Sequence, residues 1–468
     1  MTNHTFAVHS VNTEKREVKP QRLKFYPHFT HNFYTLQYTS KLMEFAKQAM
    51  SFWEETLTVK NPGNEKQLSK RYCDNNYYYT APNNTIFCRG SRCKRSVLCG
   101  PAQIPNDYLS ECFEEYNNRL YKYYHNGSGI PFAGYVLLID AVSTSTCSGS
   151  TAAYAGSCLM DPKTDRPILG YVNVCPGKMK VAYPEDRNSI GIFIHEIGHA
   201  LGFAASSFAF MRDTKGNPRT PRDSKGKPTH QDQFGMYLPS QNTIKKITRP
   251  WRSTEGWFTK DFHAFVTPKI LEAAKRHFNC RNLDGADLEN KYQTSSIGSH
   301  WEGRAYGGEI MAGRIEVDYA VSSITLSFFD DSGWYIVNYK KAMNWEYGRK
   351  AGCTFVTRSC FEYAENRRRQ GVNRYFQTYG SNSICIEHRN VWTYTDRYMY
   401  TLSDYLKGSC HRYKCHGSKA ISLYFKSATV NCTKSSQPVP FNVTDGGKTL
   451  KGEIICPNIK RFCKDKKP

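Results

Sequence analysis

The chain has 468 residues, and its 64 lysines and arginines outnumber 41 aspartates and glutamates, which gives a net charge of +23 at neutral pH. This length allows a large core and two or three domains, and the 32 tyrosines and seven tryptophans exclude a disordered chain. The basic residues are scattered and the sequence has no nucleic-acid-binding motif, so we predict no nucleic-acid partner. Acidic membrane or glycan surfaces, or acidic substrates, are the partners that this charge favours.

Cysteine usage indicates an oxidising compartment. The 17 cysteines extend from Cys73 to Cys463 and include no repeated CxxC pair of the kind that holds structural zinc. We therefore predict disulfides in an extracellular protein, with at least one cysteine left over by the odd count. Five glycosylation sequences of the form Asn-x-Ser/Thr, which suit a glycoprotein, begin at Asn3, Asn83, Asn126, Asn431 and Asn442.

The two ends of the sequence have no membrane-targeting pattern. The first residues are polar and basic and have no apolar stretch typical of a signal peptide, so we expect the natural start to lie upstream. No apolar run reaches the length of about 18 residues that spans a bilayer. Residues 461–468 lack the apolar tail of a GPI signal. The predicted location is secreted or at the cell surface, without a transmembrane helix.

The first part of the chain combines helical and strand patterns, as an α+β fold does. Residues 1–25 form a polar tail, and residues 36–57 have the apolar spacing of a helix. The cysteine- and tyrosine-rich residues 73–112 predict loops and short strands held by disulfides. Residues 134–140 predict a buried strand, and residues 170–176 alternate as a half-buried strand does.

The strand predicted at 170–176 precedes the most informative segment of the sequence. An exposed edge on this strand would suit a peptide substrate that binds by adding a strand of its own. The predicted substrate-binding residues are Gly170, Tyr171, Val172 and Asn173.

Residues 191–203, GIFIHEIGHALGF, contain two histidines on one helical face. Residues four apart lie about 40° apart around a helix, so the rings of His195 and His199 can meet above its surface. Two imidazoles and one further ligand hold Zn²⁺ and leave a position for water, whose proton Glu196 can accept. An apolar stripe buries the rest of the helix: Ile190, Phe193, Ile194, Ile197 and Leu201. We predict one zinc ion per chain here.

The character of the chain changes after this helix. Residues 212–232 are rich in lysine, arginine, glycine and proline, and predict a mobile surface loop. Thr267 and Pro268 predict a helix start, as N-cap and first helical residue. Residues 319–329 predict a further helix. From about Asn344 onwards, eight cysteines and short strand patterns predict a disulfide-held module.

A third protein ligand is needed to complete the zinc site. The compact pattern HExxHxxGxxH would place a histidine where this chain has Ala205. His230 lies in the basic loop, His277 lies near the end of a predicted helix, and His263 has no supporting context. His300 stands in SHWE, shortly before GGEIMAG. Spacing alone leaves the choice among these four histidines open.

Several motifs together resemble the leishmanolysins, which are metzincin metalloproteases whose third histidine is displaced by an insertion, and within them the animal invadolysin-like peptidases. The motifs are HEIGHALGF, GSHWEGR and GGEIMAG, with LGYVNVCP, SITLSFFDDSGWY, AGCTFVTRSC and GEIICPNIKRFC, so the likeness covers about residues 35–463. The resemblance implies that His195, His199 and His300 bind zinc and that Glu196 is the catalytic acid/base. It further implies that Met311 is the Met-turn residue beneath the metal.

The chain also departs from this family. Family members carry a propeptide cysteine that blocks the zinc, whereas no cysteine precedes Cys73 here. The region between Cys385 and Cys410 is short, and the GPI tail of the protozoan enzymes is absent. If the start is complete, the first departure implies an enzyme uninhibited at synthesis or latent by another means. The second implies a reduced C-terminal domain, and the third weakens the expectation of membrane anchoring.

The sequence therefore predicts a secreted zinc endopeptidase of α+β metzincin type with a large insertion, acting on peptides or proteins. Its predicted regions are a polar tail (1–25), an N-terminal catalytic subdomain with the HExxH helix (26–202), a central subdomain with the third histidine and the Met-turn (203–343), and a disulfide-rich C-terminal domain (344–468). Two alternatives stay open. One is an adhesion or host-contact protein on a metalloprotease fold, and the other is a zinc hydrolase that acts on other bonds.

Overall fold

The computed structural model of this protein describes residues 19–359 almost continuously. The gaps are 64, 83–84, 183–184, 254–255, 290–297 and 316–318. The other described residues are 5–6, 8–9, 362–363, 366, 379–380, 383–386, 388–389, 409–424, 428–435, 437–445, 448–456, 459 and 463.

The helices and strands of the described residues follow one another in mixed order. The α-helices are α1 (His31–Tyr34), α2 (Thr39–Thr56), α3 (Asp186–Ala200), α4 (Ala205–Phe208), α5 (Pro268–Phe278), α6 (Ser323–Asp331) and α7 (Cys353–Thr357). The strands before α3 are β1 (Thr5–Phe6), β2 (Val8–His9), β3 (Gln21–Arg22), β4 (Lys24–Phe29), β5 (Leu57–Val59), β6 (Gln67–Leu68), β7 (Tyr79–Thr80), β8 (Ile86–Arg89), β9 (Leu98–Cys99), β10 (Ala102–Gln103), β11 (Cys112–Tyr116), β12 (Arg119–Tyr124), β13 (Gly134–Asp140), β14 (Ala153–Met160) and β15 (Pro167–Val174). The later strands are β16 (Ile244–Ser253), β17 (Gly256–Phe265), β18 (Ala286–Asp287), β19 (Tyr335–Val337), β20 (Tyr379–Gly380), β21 (Ser383–Ile386), β22 (His388–Arg389), β23 (Ser409–His416), β24 (Ala420–Tyr424), β25 (Thr429–Cys432), β26 (Pro438–Asp445) and β27 (Lys448–Ile455).

A five-stranded sheet with the order β1-β14-β15-β13-β4 organises the first half of the chain. Strand β13 pairs in parallel with β15 and β4, whereas β14 runs antiparallel to β15. Every residue of β13 and β15 is buried. Such continuous apolar strands are expected where a sheet is covered on both faces.

One face of this sheet is covered by α2 and α3, and the other by the disulfide-rich segment around β9 and β10. The helical face contributes Leu137 and Val172 to the largest hydrophobic cluster of the described residues. The opposite face contributes Val136 and Tyr171 to a second cluster. The sheet therefore supports α3 from below along its length.

The largest cluster continues well beyond the first sheet. It runs in sequence from Leu23 to Tyr363 and includes residues of α5 and α6. Helix α5 begins with Pro268 after the N-cap Thr267, as its start signal predicted, and its C-cap Asn279 is in the left-handed conformation. Helix α6 begins after Ser322, whose side chain accepts hydrogen bonds from two backbone N–H groups of the first turn. One continuous core thus joins α3 to the later segment that contains His300.

Disulfides hold the segments that have little core of their own. The described residues include seven disulfides, which pair Cys73 with Cys88, Cys93 with Cys112, Cys99 with Cys158, Cys147 with Cys175, Cys280 with Cys353, Cys415 with Cys463, and Cys432 with Cys456. The predicted disulfide framework is confirmed for these 14 of the 17 cysteines. The C-terminal strands β23 to β25 enclose a small separate cluster around Ile421 and Leu423.

Residues 212–237 differ from the predicted mobile loop, because they form three successive turns of one kind. In each turn an aspartate N–H donates to the carbonyl four residues later, at 2.8–2.9 Å, and the same aspartate's side chain accepts from the N–H two residues later. The turns begin at Asp213, Asp223 and Asp232 and contain Gly216, Gly226 and Gly235 at positive φ. Arg212 and Arg222 both pair with the buried Asp165, at 2.7 and 3.0 Å. The segment is therefore tied to the core.

The described residues have the mixed helix and strand content of the predicted α+β class, with several disulfides. Among these residues, no helix combines the length and the hydropathy needed to cross a bilayer.

Candidate metal centre

Helix α3 holds the two predicted ligands on a rigid, buried support. Phe193 and Ile197 are fully buried beneath it. The indole N–H of Trp53, on α2, donates to the carbonyl of Ile194 at 3.0 Å, and the hydroxyl of Tyr135, on β13, donates to the carbonyl of Ala200 at 2.6 Å. These bonds fix the helix along its length, since side-chain donors satisfy backbone carbonyls in addition to the packing.

Three histidines converge above α3. The Nε2 atom of His199 lies 2.9 Å from that of His195 and 3.1 Å from that of His300. The three ligand atoms all lie within 4.8 Å of one another. Two nitrogen ligands of a tetrahedral zinc ion, each at about 2.0–2.1 Å, are separated by roughly 3.3 Å. The observed spacing therefore fits a single ion at the centre of the three rings.

The other nitrogen of each ring fixes its tautomer. The Nδ1 atoms lie 2.6 Å from Ile310 O for His195, Phe203 O for His199 and Glu289 Oε1 for His300. Carbonyl and carboxylate oxygens accept hydrogen bonds, so each Nδ1 donates and each Nε2 presents a lone pair to the other two. Three lone pairs that face one another repel unless a cation lies between them. The donor set thus fits a metal ion.

Burial keeps the helix histidines in the neutral form that binds metals. It lowers the pKa of His199 to about 3, an effect to which neighbouring His300 adds. It also lowers the pKa of His195 well below the ordinary value, with His199 and His300 as further causes. Neutral imidazole is the ligand form, so no proton has to leave before a metal binds.

Glu196 is buried on α3 between the two helix histidines, with only 6% of its surface exposed. Burial raises the pKa of this carboxyl to about 8. A divalent cation held by the neighbouring histidines would favour the carboxylate and lower that pKa again. A carboxyl whose pKa lies near neutrality is suited to accept and return a proton.

Met311 packs against α3 at Gly198, the residue before His199. Its side chain is fully buried, and its Sδ lies 2.9 Å from the position that a Cβ on Gly198 would take. The buried Glu309 accepts a hydrogen bond from the N–H of Met311 at 2.6 Å, and the N–H of Trp301 donates to Met311 O at 2.9 Å. The predicted Met-turn residue and the residue after His300 are therefore joined directly.

The structure brings one of the four candidate third ligands to the helix. His300 joins the group, although it lies 101 residues from His199 in sequence. His277 stacks on Trp345, with ring centroids 4.1 Å apart, and His230 is exposed beside Thr229. His263 is half-buried on β17. Among the described residues, the groups of three or more side chains that are placed to hold a metal ion do not include His230, His263 or His277.

A second group of residues that could ligate a metal consists of three cysteines and has a different explanation. Cys88, Cys93 and Cys112 lie close together because two disulfides pack side by side. Disulfide sulfurs are not thiolates, so this cluster is not a metal site.

Residues 170–173, the predicted substrate-binding residues, do not have the exposed edge on which that prediction rested. Strand β15 lies inside the sheet, where Gly170 and Asn173 are paired on one side with β13 and on the other with β14. A Cβ on Gly170 would lie 2.3 Å from the hydroxyl of Tyr135, so this glycine leaves room for the tyrosine that supports α3. The Asn173 side chain bonds the backbone of Val142 through both its amide atoms, at 2.9 Å. These residues support the site from below.

Four supporting residues were missed from the sequence. Trp53 and Tyr135 bond α3, Glu309 holds the turn of Met311, and Glu289 contacts His300. Trp53 and Tyr135 act on a helix distant in sequence, and no motif identifies them or Glu289, whereas Glu309 stands inside the GGEIMAG motif. An aromatic residue in a predicted helix or strand reads as ordinary core.

Gly202 follows the C-terminal end of α3 in a space that has no room for a side chain. This gives a prediction about stability. Its φ is +121°, and a Cβ there would lie 2.5 Å from the buried ring of Trp334. We expect Gly202→Ala to lower the free energy of unfolding by roughly 2–6 kcal/mol, from backbone strain and overpacking together. Urea denaturation measures the effect.

Gly216→Ala is the matched control for this prediction. Gly216 also has a positive φ, +89°, but a Cβ there would meet nothing within 4 Å. Only the backbone cost of roughly 1–3 kcal/mol should remain. Equal losses in the two variants would contradict the role given to Trp334.

The chain is similar to known metallopeptidases. Residues 118–370 match the model of the leishmanolysin family, peptidase family M8. The leishmanolysin-like peptidase of Caenorhabditis elegans is 35% identical over 348 residues, which cover 72% of this chain and 52% of that protein. The leishmanolysin-like peptidase of Drosophila melanogaster is 35% identical over 331 residues, or 69% of this chain and 48% of that protein.

A more distant relative carries a different name. The ciliated left-right organizer metallopeptidase of Xenopus laevis is 25% identical over 291 residues, which cover 61% of this chain and 36% of that protein. The chain spans about half the length of the leishmanolysin-like peptidases that it matches. Because the family model matches more than half of the 468 residues, this chain belongs to the leishmanolysin family.

Proposed function

We propose that this chain is a zinc-dependent metalloendopeptidase that hydrolyses peptide bonds with Glu196 as general base and acid. The observation that supports this most is the convergence of three Nε2 lone pairs beside a buried glutamate on the same helix. Family membership supports a metal-dependent peptidase. A binding module would have no use for a buried carboxyl at this position.

The proposed ligands are His195, His199 and His300. Three neutral imidazoles form a nitrogen donor set that suits zinc and leaves a fourth position open. When bound, zinc would supply Lewis-acid polarisation of the scissile carbonyl and would acidify the attacking water. Met311, packed under Gly198, would set the floor of the site as the Met-turn does in metzincins.

Glu196 carries the proton transfers in this proposal. The carboxylate accepts the proton of the attacking water and then gives it to the leaving amine. The helix holds the carboxylate in place, since α3 is bonded to both Trp53 and Tyr135. A fixed orientation removes the entropy cost of aligning the base for each reaction.

The substrate-binding edge in this proposal is on β14 and not on β15. Strand β14 pairs with β15 on one side, and on its other side the described residues pair with it only at Leu159 and Met160, through β1. Along residues 153–156, no other strand of the described part of the chain pairs with this outer side. An extended peptide can add to such an edge through main-chain hydrogen bonds, and α3 packs against this same strand.

The regional division predicted from the sequence stays part of the proposal. We infer a catalytic unit formed by residues 26–202 and 203–343 and a disulfide-rich domain at 344–468. The predicted tail at 1–25 is not separate at its end, because Leu23 and Phe25 are buried in the largest core cluster, which also extends past residue 344 to Tyr363. The disulfides favour a secreted or cell-surface location. The net charge of +23 favours contact with acidic membrane or glycan surfaces and no dedicated nucleic-acid site.

Metal removal tests the proposed function. We expect the purified chain to cleave quenched fluorescent peptides, to lose this activity with 1,10-phenanthroline, and to regain it when zinc is added back. The reason is that three histidine ligands hold the metal reversibly while disulfides maintain the fold. Cleavage that resists the chelator would contradict the metal mechanism. A zinc-loaded chain that cleaves no peptide would favour the adhesion alternative.

A further inference from the structure

Glu289 makes two contacts with the proposed third ligand. Its Oε1 lies 2.6 Å from Nδ1 of His300, and its backbone N–H donates to the carbonyl of His300 at 2.8 Å. Leu288 and Trp301, the neighbours of this pair, form a β-bridge. Glu289 and His300 are thus held together through both backbone and side chain.

Two glycines leave the space that the Glu289 side chain occupies. A Cβ on Gly298 would lie 2.4 Å from Cγ of Glu289. A Cβ on Gly313 would lie 3.2 Å from Oε2 of Glu289 and 3.5 Å from Nδ1 of His300. Neither glycine has a positive φ, so backbone conformation does not require glycine at these positions. A Cβ on Gly298 would also lie 2.5 Å from the backbone carbonyl oxygen of Glu289, so it is Gly313 that borders the carboxylate itself.

The three proposed ligands differ in what holds them. His195 and His199 are on a helix, and neutral backbone carbonyls accept from their Nδ1 atoms. His300 lies outside the helices and strands, next to residues 290–297, and 25% of its side chain is exposed. It is therefore the ligand with the least support from regular structure. It is also the one whose Nδ1 partner is a carboxylate.

We propose that Glu289 is a positioning residue for the metal centre, which holds the ring of His300 so that Nε2 faces His195 and His199. This inference rests on the proposed function. The carboxylate fixes the Nδ1–H tautomer through a charge-assisted hydrogen bond and makes Nε2 a better donor to the metal. Glu289 does not touch substrate or metal in this account.

The test compares Glu289→Ala and Glu289→Gln with the wild-type chain in two metal measurements. Competition with a chromophoric chelator gives zinc affinity, and the visible absorption of the cobalt-loaded protein reports the ligand field. We expect Glu289→Ala to bind zinc about 10–100-fold more weakly and to show a changed cobalt spectrum. Glu289→Gln keeps an acceptor oxygen without the charge, so its loss should be smaller.

Glu272→Gln, an exposed glutamate on α5 that pairs with Arg276, is the matched control and should bind zinc as the wild type does. If Glu289→Ala does not fold, Gly313→Ala keeps the carboxylate but crowds it, and zinc affinity should again fall. Wild-type zinc affinity and cobalt spectra in the Glu289 variants, or in Gly313→Ala where it is used, would overturn this inference and leave the proposed function standing. A wild-type chain that binds no zinc would overturn both.

Discussion

Glu196→Gln is expected to lower the rate of peptide cleavage by about 10²–10⁴-fold while zinc stays bound, because the proton acceptor is lost and the three ligands remain. Glutamine has nearly the same shape as glutamate and needs no charge in the buried site. In the metal-free protein, where burial raises the pKa of Glu196 and disfavours the carboxylate, the variant should be at least as stable as the wild type. Cleavage rate, zinc content and melting temperature are the measurements.

Glu44→Gln provides the control for this substitution. Glu44 lies on the exposed face of α2, where its partner is Lys41 at 2.8 Å, so the same change of charge leaves the site intact. Its cleavage rate should match that of the wild type. A Glu196→Gln protein that cleaves peptides within a few-fold of the wild-type rate would rule out the proposed proton transfers.

His300→Ala is expected to lose both bound zinc and activity, whereas His230→Ala, His263→Ala and His277→Ala keep both. The two helix histidines cannot complete the coordination alone. The test discriminates among histidines because the structure brings His300, of these four, within reach of His199, at 3.1 Å. Metal analysis and peptide cleavage on the four purified variants measure the outcome.

One of these controls should show a stability effect without a metal effect. The ring of His277 stacks on Trp345, and its Nε2 donates to the carbonyl of Tyr347 at 2.8 Å. His277→Ala should therefore lower the melting temperature and still retain zinc. A zinc-replete and active His300→Ala, with a metal-free variant at one of the other three positions, would reverse the assignment.

Local patterns in the sequence were enough to predict the helices that carry or support the site. The apolar spacing of residues 36–57 predicted α2, and Thr267 with Pro268 predicted the start of α5. The strand prediction for residues 134–140 matches β13 in full. These features depend on periodicity and capping, which lie within a short stretch of chain.

The position of a strand within a sheet is a different kind of information. The pattern of residues 170–176 identified a strand, yet whether its edges are free depends on β13 and β14, which are distant in sequence. The apolar run in β15 was a second signal in the sequence, because such a run is typical of a strand covered on both faces. Interpreting the run as half-buried led to the prediction of a free edge that β15 does not have.

Prediction of the site from the sequence was limited by contacts between residues that are far apart in the chain. The HExxH spacing identified His195, His199 and Glu196 within one helix, but the four later histidines could not be ranked by spacing. Only the family resemblance selected His300. Nothing in the local sequence of Glu289 connects it with a histidine, since the contact forms when the chain folds back and Leu288 bridges to Trp301.

Zinc K-edge X-ray absorption on the purified chain tests the central claim most directly, because it reports the ligands of the metal itself. The account predicts one zinc per chain, bound by three imidazole nitrogens and one oxygen at about 2.0–2.1 Å. Sulfur ligands at about 2.3 Å would place the metal on cysteines instead. A shell with fewer than three imidazoles would equally contradict a centre formed by His195, His199 and His300.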